Sequence, residues 1–432
     1  MPQNMGNQSE KSYQTGGWKA HWILVVCTLL YMVNYIDRAV LTVVLQPMKL
    51  DLGLTDSEVG LTVTVFTLSM AVFSFPVAYL VDRWSRKRAI SIMAFIWSAF
   101  TLVTGLAKNF VGVLIPRAFV GTGEAGFTAG GVAMMTAAYP QEKHGRILGI
   151  FNVAIPLGTA LGTVLGGMIS VKMGWRSPFF IFAIPGVILA IAALFLRDYK
   201  TIKATGEFKT GFIESITSLL RIPALRWYYV GYGIAMIMLQ AQLAWTGVFI
   251  MRELNVKEDV AGLAMGALAM LGIFGGLAGG VISDAWYRKS TPSRLRLPAI
   301  CTILAAICMF ASIYLIKTNV MLCIVAAALY VFIYFMAQPA LGAVSQEIVP
   351  PSYKGLSLGL AVFCMYMLGG AWSPWLTGVV SDSLGGGTYG LEVALSISCL
   401  GGLVSGFCYL MGSRYYEANE AKVKNWALAA EK

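Results

Sequence analysis

The sequence has 432 residues, of which 57% are hydrophobic and only 12% are charged, and its mean hydropathy is +0.71. Soluble globular proteins are about 45–50% apolar and about 25% charged, so this composition excludes that class and predicts an integral membrane protein. The net charge of +11 does not indicate nucleic-acid binding, because the basic residues lie in short loops where membrane topology explains them.

In chain order, a polar segment comes first and apolar segments long enough to cross a bilayer then recur twelve times. The predicted spans are 22–45, 58–80, 89–107, 110–139, 145–171, 177–196, 227–250, 260–286, 297–316, 320–347, 355–381 and 391–412. The remaining segments divide the chain into an N-terminal tail (1–21), a six-helix bundle (22–196), a linker (197–226), a second six-helix bundle (227–412) and a C-terminal tail (413–432).

The distribution of Lys and Arg predicts the orientation of these spans. With the N-terminus in the cytoplasm, the inside segments carry 23 of these residues and the outside loops carry 7. Because cytoplasmic loops are enriched in positive charge, we expect both tails and the linker in the cytoplasm. Short loops favour a multi-pass protein of a bacterial inner (plasma) membrane.

Cysteine and histidine give no sign of a metal site or a cofactor. The seven cysteines lie inside apolar segments, and the histidines, His21 and His144, lie near the ends of spans. No spacing among them suggests a disulfide set or a metal-ligand cluster. We therefore expect no cofactor and no enzymatic activity.

Two sequence repeats relate the halves of the chain. "AYLVDRWSRKR" (78–88) follows span two and "GGVISDAWYRK" (279–289) follows span eight; each places a small residue four before an Asp and a basic pair after it. "GRILGI" (145–150) and "GLSLGL" (355–360) open spans five and eleven. Two six-helix halves related by an axis along the membrane normal are a transporter design, with the substrate site between the halves.

Four charged residues lie well inside the predicted spans, away from the span ends: Asp37, Arg38, Arg117 and Glu124. At a rise of 1.5 Å per residue, Arg38 is about 10 Å and Glu124 about 21 Å below the outer ends of their spans. Because charges facing lipid are costly, we expect these side chains to face a central cavity or one another. They are either structural ion pairs that lock the first half or functional groups. Two acids beside two guanidiniums can exchange protons near physiological pH.

Other polar residues of the spans are candidate cavity residues. Asn34 and Tyr35 share span one with Asp37, and they either line the cavity or pack between helices. In span ten, Tyr334 and Gln338 lie four residues apart on one stripe, which is typical of packing but also fits substrate contact.

The motifs resemble those of the major facilitator superfamily. "AYLVDRWSRKR" resembles the signature of its loop between helices two and three, although Ala78 and Ser85 replace two usual glycines, and "RAFVGTGEAG" (117–126) resembles its fourth-helix signature. "NYIDR" (34–38), "GTGEAG" (121–126), "HGRILGIFNVAIPLGTALG" (144–162) and "GWRSPFF" (174–180) together resemble the Spinster-like subgroup. The anion:cation symporter subgroup shares "NYxDR" and "GEA", but it tends to carry a Pro just after "EA" that is missing here.

This resemblance implies an all-α membrane protein with twelve transmembrane helices in two pseudo-symmetric bundles, and it implies roles for single residues. Asp37 and Glu124 would couple protons, and Arg38 would hold an anionic group of the substrate. Apart from the resemblance, Arg117 is either a substrate-binding residue or a structural partner of groups in span one. A cytoplasmic gate would hold the outward-facing state through charges whose plainer explanation is topology alone. Its residues would be Asp82, Arg83, Arg86, Lys87 and, more weakly, Asp284.

The function predicted from these observations is secondary active transport by alternating access, with a proton as the coupling ion and a small organic anion as substrate. An alternative is an exporter of lysolipid-like or amphipathic drug-like molecules. An intramembrane enzyme or a receptor is disfavoured, because the sequence has no Ser-His or carboxylate–metal constellation and no sizeable domain outside the membrane. We expect a monomer in the lipid bilayer that binds a small molecule and no nucleic acid.

Overall fold

The computed structural model describes residues 17–140, 143–198, 212–350 and 353–430, with backbone only at 75, 78–83, 212–213 and 424–430. These residues form sixteen α-helices and one π-helical turn, and no strand occurs among them. The helices of the first half are α1 (Gly17–Leu52), α2 (Asp56–Arg83), α3 (Arg86–Gly105), α4 (Phe110–Glu124), α5 (Phe127–Ala138), α6 (His144–Met173) and α7 (Ser177–Leu194).

The second half repeats the pattern after a short amphipathic helix, α8 (Phe212–Leu220). Its helices are α9 (Pro223–Leu254), α10 (Glu258–Tyr287), α11 (Ser293–Leu315), α12 (Val320–Met336), α13 (Gln338–Glu347), α14 (Lys354–Met365), α15 (Ser373–Ser383) and α16 (Thr388–Ala430), and the π-turn (Tyr366–Gly370) lies between α14 and α15. The predicted all-α membrane fold with twelve spans is confirmed.

Three of the twelve spans are broken helices. Span four consists of α4 and α5, with 15 and 12 residues, and it is not among the eleven segments of the described residues that are long and apolar enough to cross a membrane. Span ten divides at Ala337 and span eleven at the π-turn. Pro339 and Pro374 follow these two breaks. Because proline has no N–H to donate to the preceding turn, each favours a local change of helix geometry.

Glycines bring the helices of the first half into close contact. Gly158, Gly162 and Gly166 of α6 face α1, and a Cβ at Gly162 would lie only 2.6 Å from the carbonyl oxygen of Ile36. Small residues at a spacing of four let membrane helices approach closely. The stripe positions α1, which carries Asp37 and Arg38.

The two halves meet through α2 with α15 and through α6 with α10. Glycines again allow the contact: a Cβ at Gly60 would lie 2.3 Å from the Pro374 carbonyl oxygen, and one at Gly378 would lie 2.3 Å from the Asp56 carbonyl oxygen. These contacts lie toward one end of the molecule, which we call the closed face. The closed face carries the connections 53–55, 106–109, 174–176, 255–257, 316–319 and 384–387. The opposite end, which we call the terminal face, carries both ends of the described chain.

The apolar core is divided in the same way. One cluster of buried side chains belongs to the first half and another to the second half. A third cluster, which we call the shared core, contains residues of both halves, including Val44, Trp175, Trp245, Phe249 and Leu391. The shared core joins the two bundles near the closed face.

The tails and the linker contain more helix than the span assignment predicts. The N-terminal tail enters α1 at Gly17, and residues 1–16 lie outside the described residues. The linker includes α8 and the start of α9, and its residues 199–211 also lie outside the described residues. The segment assigned to the C-terminal tail continues α16, and there Tyr416 donates a hydrogen bond to Glu347 and Asn419 accepts one from the Ala224 N–H.

We expect Gly162→Leu to lower the thermal stability of the detergent-solubilised protein by several degrees, because overpacking a close contact costs about 1–3 kcal/mol. The measurement is a melting curve followed by size-exclusion chromatography. The matched control is Gly149→Leu on the same helix, where a Cβ has no neighbour within 4 Å. Equal melting temperatures for the two variants would contradict the role of the stripe.

Candidate functional site

Arg38 and Glu124 form an ion pair between α1 and α4. The Arg38 Nη2 lies 2.7 Å from the Glu124 Oε2, and the Arg38 Nε donates to the same oxygen at 2.8 Å. The Glu124 side chain is fully buried, whereas 22% of the Arg38 side chain is exposed. Arg38 is therefore the member of the pair that a ligand can reach.

Arg117 and Asp37 form a second pair, deeper inside the first half. The Arg117 Nη1 donates to the Asp37 Oδ2 at 3.1 Å, and the Thr101 hydroxyl of α3 donates to the Asp37 Oδ1 at 2.9 Å. Both charged side chains are buried. Each oxygen of Asp37 has a donor, so this carboxylate is held in a fixed orientation.

Aromatic rings join the two pairs into one site. The guanidinium of Arg117 lies 4.8 Å from the centre of the Phe66 ring, and that of Arg38 lies 5.3 Å from the same ring. Arg38 also lies 4.9 Å from the Tyr35 ring. Cation–π contacts stabilise a desolvated guanidinium and leave its edge free for hydrogen bonds. The structure thus brings together all four charged residues predicted from the sequence.

The other predicted substrate residues are placed differently. Tyr35 adjoins Arg38, but Asn34 is buried. Tyr334 packs against its neighbours Tyr330 and Phe335, and Gln338 accepts a hydrogen bond from Tyr232 at 3.4 Å. These contacts of Tyr334 and Gln338 stay within the second half, so their proposed contact with substrate remains a prediction.

Tyr366 is a candidate residue that the sequence did not reveal. It begins the π-turn of span eleven, is partly exposed and lies in a turn that contacts α2 of the first half. Single π-turns inside helices occur frequently at functional sites. A signal was present in the sequence, because Gly369, Gly370 and Pro374 follow the tyrosine closely.

A second charged cluster lies at the closed face, around the buried carboxylate of Asp56. It accepts hydrogen bonds from Lys49 at 2.6 Å, from Arg252 at 2.6 and 2.9 Å and from the Ser381 hydroxyl at 2.7 Å. Arg252 and Ser381 belong to the second half, so Asp56 holds the two halves together. From the sequence, Lys49 and Arg252 counted only as charges of outside loops.

The first turn of α2 extends this cluster. Asp382 of α15 accepts hydrogen bonds from the backbone N–H groups of Asp56 at 3.0 Å and Ser57 at 2.7 Å. The Thr55 hydroxyl and the Glu58 carboxylate form a capping box on the same turn. Since the first N–H groups of a helix lack partners within it and carry positive partial charge, a carboxylate of one half caps a helix of the other. The sequence signal for the capping box is "TDSE" (55–58).

A sequence profile of the Major Facilitator Superfamily matches residues 27–374. The chain belongs to the Major Facilitator Superfamily. The Bacillus subtilis (strain 168) hexuronate transporter is 26% identical over 375 residues, covering 84% of this chain and 88% of the relative. Protein spinster homolog 1 of Xenopus laevis is 26% identical over 444 residues, covering 93% and 82%.

Solved structures agree with this assignment. A bacterial homolog of the human lysosomal transporter Spinster, crystallised in an inward-facing and unoccupied conformation, matches with a TM-score of 0.82 at 21% identity, covering 94% of this chain and 99% of that chain. This likeness shows the fold. Membership of the superfamily makes the chain a membrane transporter rather than an enzyme, and the spinster relatives support the resemblance of its motifs to the Spinster-like subgroup. Among the described residues, no group of three His, Cys, Asp or Glu side chains could hold a metal ion.

The gate residues expected of this superfamily are only partly visible. The side chains of Asp82 and Arg83 lie outside the described residues. Arg86 is buried and Lys87 is partly buried at the start of α3. Asp284 pairs with Arg294 of its own half at 2.8 Å. The gate role stays a prediction for a conformation in which the terminal face is closed.

We expect Asp382→Asn to speed amide hydrogen exchange at the start of α2 by about tenfold, because charge-assisted hydrogen bonds contribute about 1.5–3 kcal/mol each. Exchange of a peptide covering 54–64, followed by mass spectrometry, measures the effect. Asp259→Asn is the control, since among the described residues this carboxylate accepts a hydrogen bond from the adjacent Val260 N–H alone. Unchanged exchange in Asp382→Asn would show that the closed face does not depend on this cap.

Proposed function

We propose that this transporter carries small organic anions and couples their movement to protons. The observation that carries the proposal is that Glu124 occupies the guanidinium of Arg38, the exposed cation of the site, at 2.7 Å. A substrate carboxylate must compete with Glu124 for that guanidinium. Protonation of Glu124 removes its negative charge and releases Arg38 to the substrate.

Coupling follows from the cost of buried charge. In the empty site, ionised Glu124 neutralises Arg38; in the loaded site, the substrate anion takes over that task and Glu124 carries a proton. Asp37, held by Arg117 and Thr101, is the second carboxylate of the coupling pair. States in which an unpaired charge would be sealed in a site without water are disfavoured. The bundles therefore change conformation when proton and substrate are both bound or when neither is bound.

Hexuronates are the first substrate class to test. They carry one carboxylate, which matches the partly exposed Arg38, and a relative of this chain is named a hexuronate transporter.

Placing the termini in the cytoplasm, as the charge bias predicts, makes the closed face the outer one. The structure then corresponds to an inward-facing transporter in a bacterial inner membrane. Import or export depends on the gradients acting on this cycle, and the proposed unit is a monomer.

The second candidate function is export of lysolipid-like or amphipathic drug-like molecules. The aromatic rings of Tyr35 and Phe66 around Arg38 favour it, because they provide an apolar surface beside a cation that would bind a phosphate or sulfate head group. Relatives of this chain are named spinster, and the Spinster-like resemblance implies lysolipid-type substrates. Binding measurements with both ligand classes distinguish the two candidates.

Arg38→Ala is expected to weaken binding of D-glucuronate by more than about 50-fold, because two charge-assisted hydrogen bonds to the substrate carboxylate are lost. Arg38→Lys keeps the charge without the planar fork of donors and should lose about tenfold. Isothermal titration calorimetry of purified protein measures both. Arg176→Ala, which removes an exposed ion pair with Asp51, is the control and should bind like wild type. Tight binding of a lysophospholipid but not of glucuronate would favour the second candidate.

Glu124→Gln is expected to retain exchange of labelled glucuronate across proteoliposome membranes but to lose accumulation driven by a pH gradient, since glutamine imitates only the protonated acid. Asp37→Asn should have the same effect on accumulation. The measurement compares exchange at equal pH with uptake under an imposed gradient. Full pH-driven accumulation by Asp37→Asn would exclude that carboxylate from coupling, and full accumulation by Glu124→Gln would contradict the mechanism.

A further inference from the structure

Asn34 is a buried amide without a protein partner. Only 1% of the residue is exposed, and neither its Oδ1 nor its Nδ2 has a hydrogen-bond partner among the described residues. The same holds for the Glu124 Oε1 and the Trp97 Nε1. Buried polar groups in native proteins are nearly always paired, with protein or with ordered water, so several such atoms in one region indicate a hydrated interior.

Asn34 lies beside both ion pairs on α1. It is three residues before Asp37, which bonds Arg117 of α4, and four residues before Arg38, which bonds Glu124 of α4. At 1.5 Å per residue, the amide is about 4.5 Å from Asp37 and about 6 Å from Arg38 toward the terminal face. It is therefore within about one helical turn of the α1 member of each pair.

The direction of the Asn34 side chain agrees with this position. With 3.6 residues per turn, it points between the directions of Asp37 and Arg38. The opposite side of α1 is covered by α6, where Gly158 packs against Met32 and Tyr35. Asn34 is thus directed into the first bundle, on the side of the helix that carries both charges.

Trp97 completes the surroundings of this interior. It lies one turn before Thr101 on α3, on the face from which Thr101 bonds Asp37. A Cβ at Gly123, the residue before Glu124, would lie 2.9 Å from the Trp97 backbone nitrogen, so α3 and α4 are in close contact here. The Trp97 ring packs edge-on against Phe127. Asn34, Trp97 and Glu124 thus belong to three helices, α1, α3 and α4, that the Thr101–Asp37 and Arg117–Asp37 bonds join in this region.

We propose that Asn34, Trp97 and the Glu124 Oε1 bind water inside the first bundle, and that this water passes protons between Asp37 and Glu124 without entering the substrate cavity. The amide supplies two N–H donors and one acceptor oxygen, the indole supplies an N–H donor, and the carboxylate supplies an acceptor oxygen. These groups are enough for the two to four partners that a buried water needs. The proposal rests on the proposed proton coupling and names a positioning residue for it.

The transfer step leaves the amide unchanged. The protonated Asp37 carboxyl gives its proton to a water oxygen, and that water releases one of its own protons to the next water or to the Glu124 Oε1. Asp37 becomes a carboxylate bonded to Arg117 and Thr101, and Glu124 becomes neutral and releases Arg38. Among the described residues, the charged groups of this region are these two acids and the two arginines.

Asn34→Leu tests the proposal, because leucine has a similar size and cannot hold water. We expect unchanged equilibrium binding of D-glucuronate, within twofold, and at least tenfold slower glucuronate-driven proton flux in proteoliposomes, measured with an internal pH dye. Asn34→Ser, which restores a hydroxyl, should recover part of the rate. Thr28→Val is the control: it removes another unpartnered hydroxyl of α1 that points toward α6, and its flux should stay within twofold of wild type.

The results that would overturn this proposal differ from the result that would contradict the proposed function. Loss of glucuronate binding in Asn34→Leu would make Asn34 a substrate contact, and unchanged flux would exclude it from proton transfer; both overturn the proposal. Absence of coupled flux in the wild type would instead contradict the proposed function. A readout independent of substrate is pH-difference infrared spectroscopy of the purified protein. A carboxyl band that is lost in Glu124→Gln should shift in Asn34→Leu, and an unshifted band would overturn the proposal.

Discussion

Two buried ion pairs, Arg38 with Glu124 and Arg117 with Asp37, are the constraint around which the first half of this protein is arranged. Removing one partner would leave an unpaired charge in an apolar interior, which is far more costly than removing both. The glycines of α6 that contact α1 position Asp37 and Arg38, and the Phe66 ring packs against both guanidiniums. The pairs differ in one respect: Asp37 has a donor on each oxygen, whereas Glu124 has one oxygen without a protein donor. That difference gives the two acids separate parts in the proposed cycle.

Much of this site could be predicted from the sequence because charged residues in apolar segments are conspicuous. Asp37, Arg38, Arg117 and Glu124 were found because they interrupt apolar segments. The twelve spans were found from the length of those segments. The pairing itself could not be predicted, because it depends on the relative heights of α1 and α4, and the adjacent Asp37 and Arg38 turn out to bond different partners. The orientation of Asn34 depends in the same way on which side of α1 is covered by α6. Sequence spacing gives the positions of residues along one helix but not the distance between residues of two helices.

The closed face shows the opposite case, in which residues of ordinary appearance form the most connected part of the structure. Asp56, Arg252 and Asp382 lie at the ends of spans, where charge is expected for topological reasons alone. Asp56 and Asp382 are separated by more than three hundred positions, so no local pattern relates them. Tyr366 is similar, since it begins a π-turn that contacts α2 of the first half. Residues contributed by the second half were therefore the least predictable part of the site, while the fold that brings them there was predictable from the repeats.

The shared core near the closed face has a thermodynamic consequence. If the halves rock apart at that end, the buried surfaces of residues such as Val44, Trp245, Phe249 and Leu391 become hydrated along the opened interface. Exposure of apolar surface raises the heat capacity, and the tendency of such surface to stay buried weakens on cooling. The balance between the two conformations is therefore a curved function of temperature rather than a constant of the fold. Where this exposure exceeds the apolar surface that is buried when the terminal face closes, cooling favours the state in which the bundles are separated at this end.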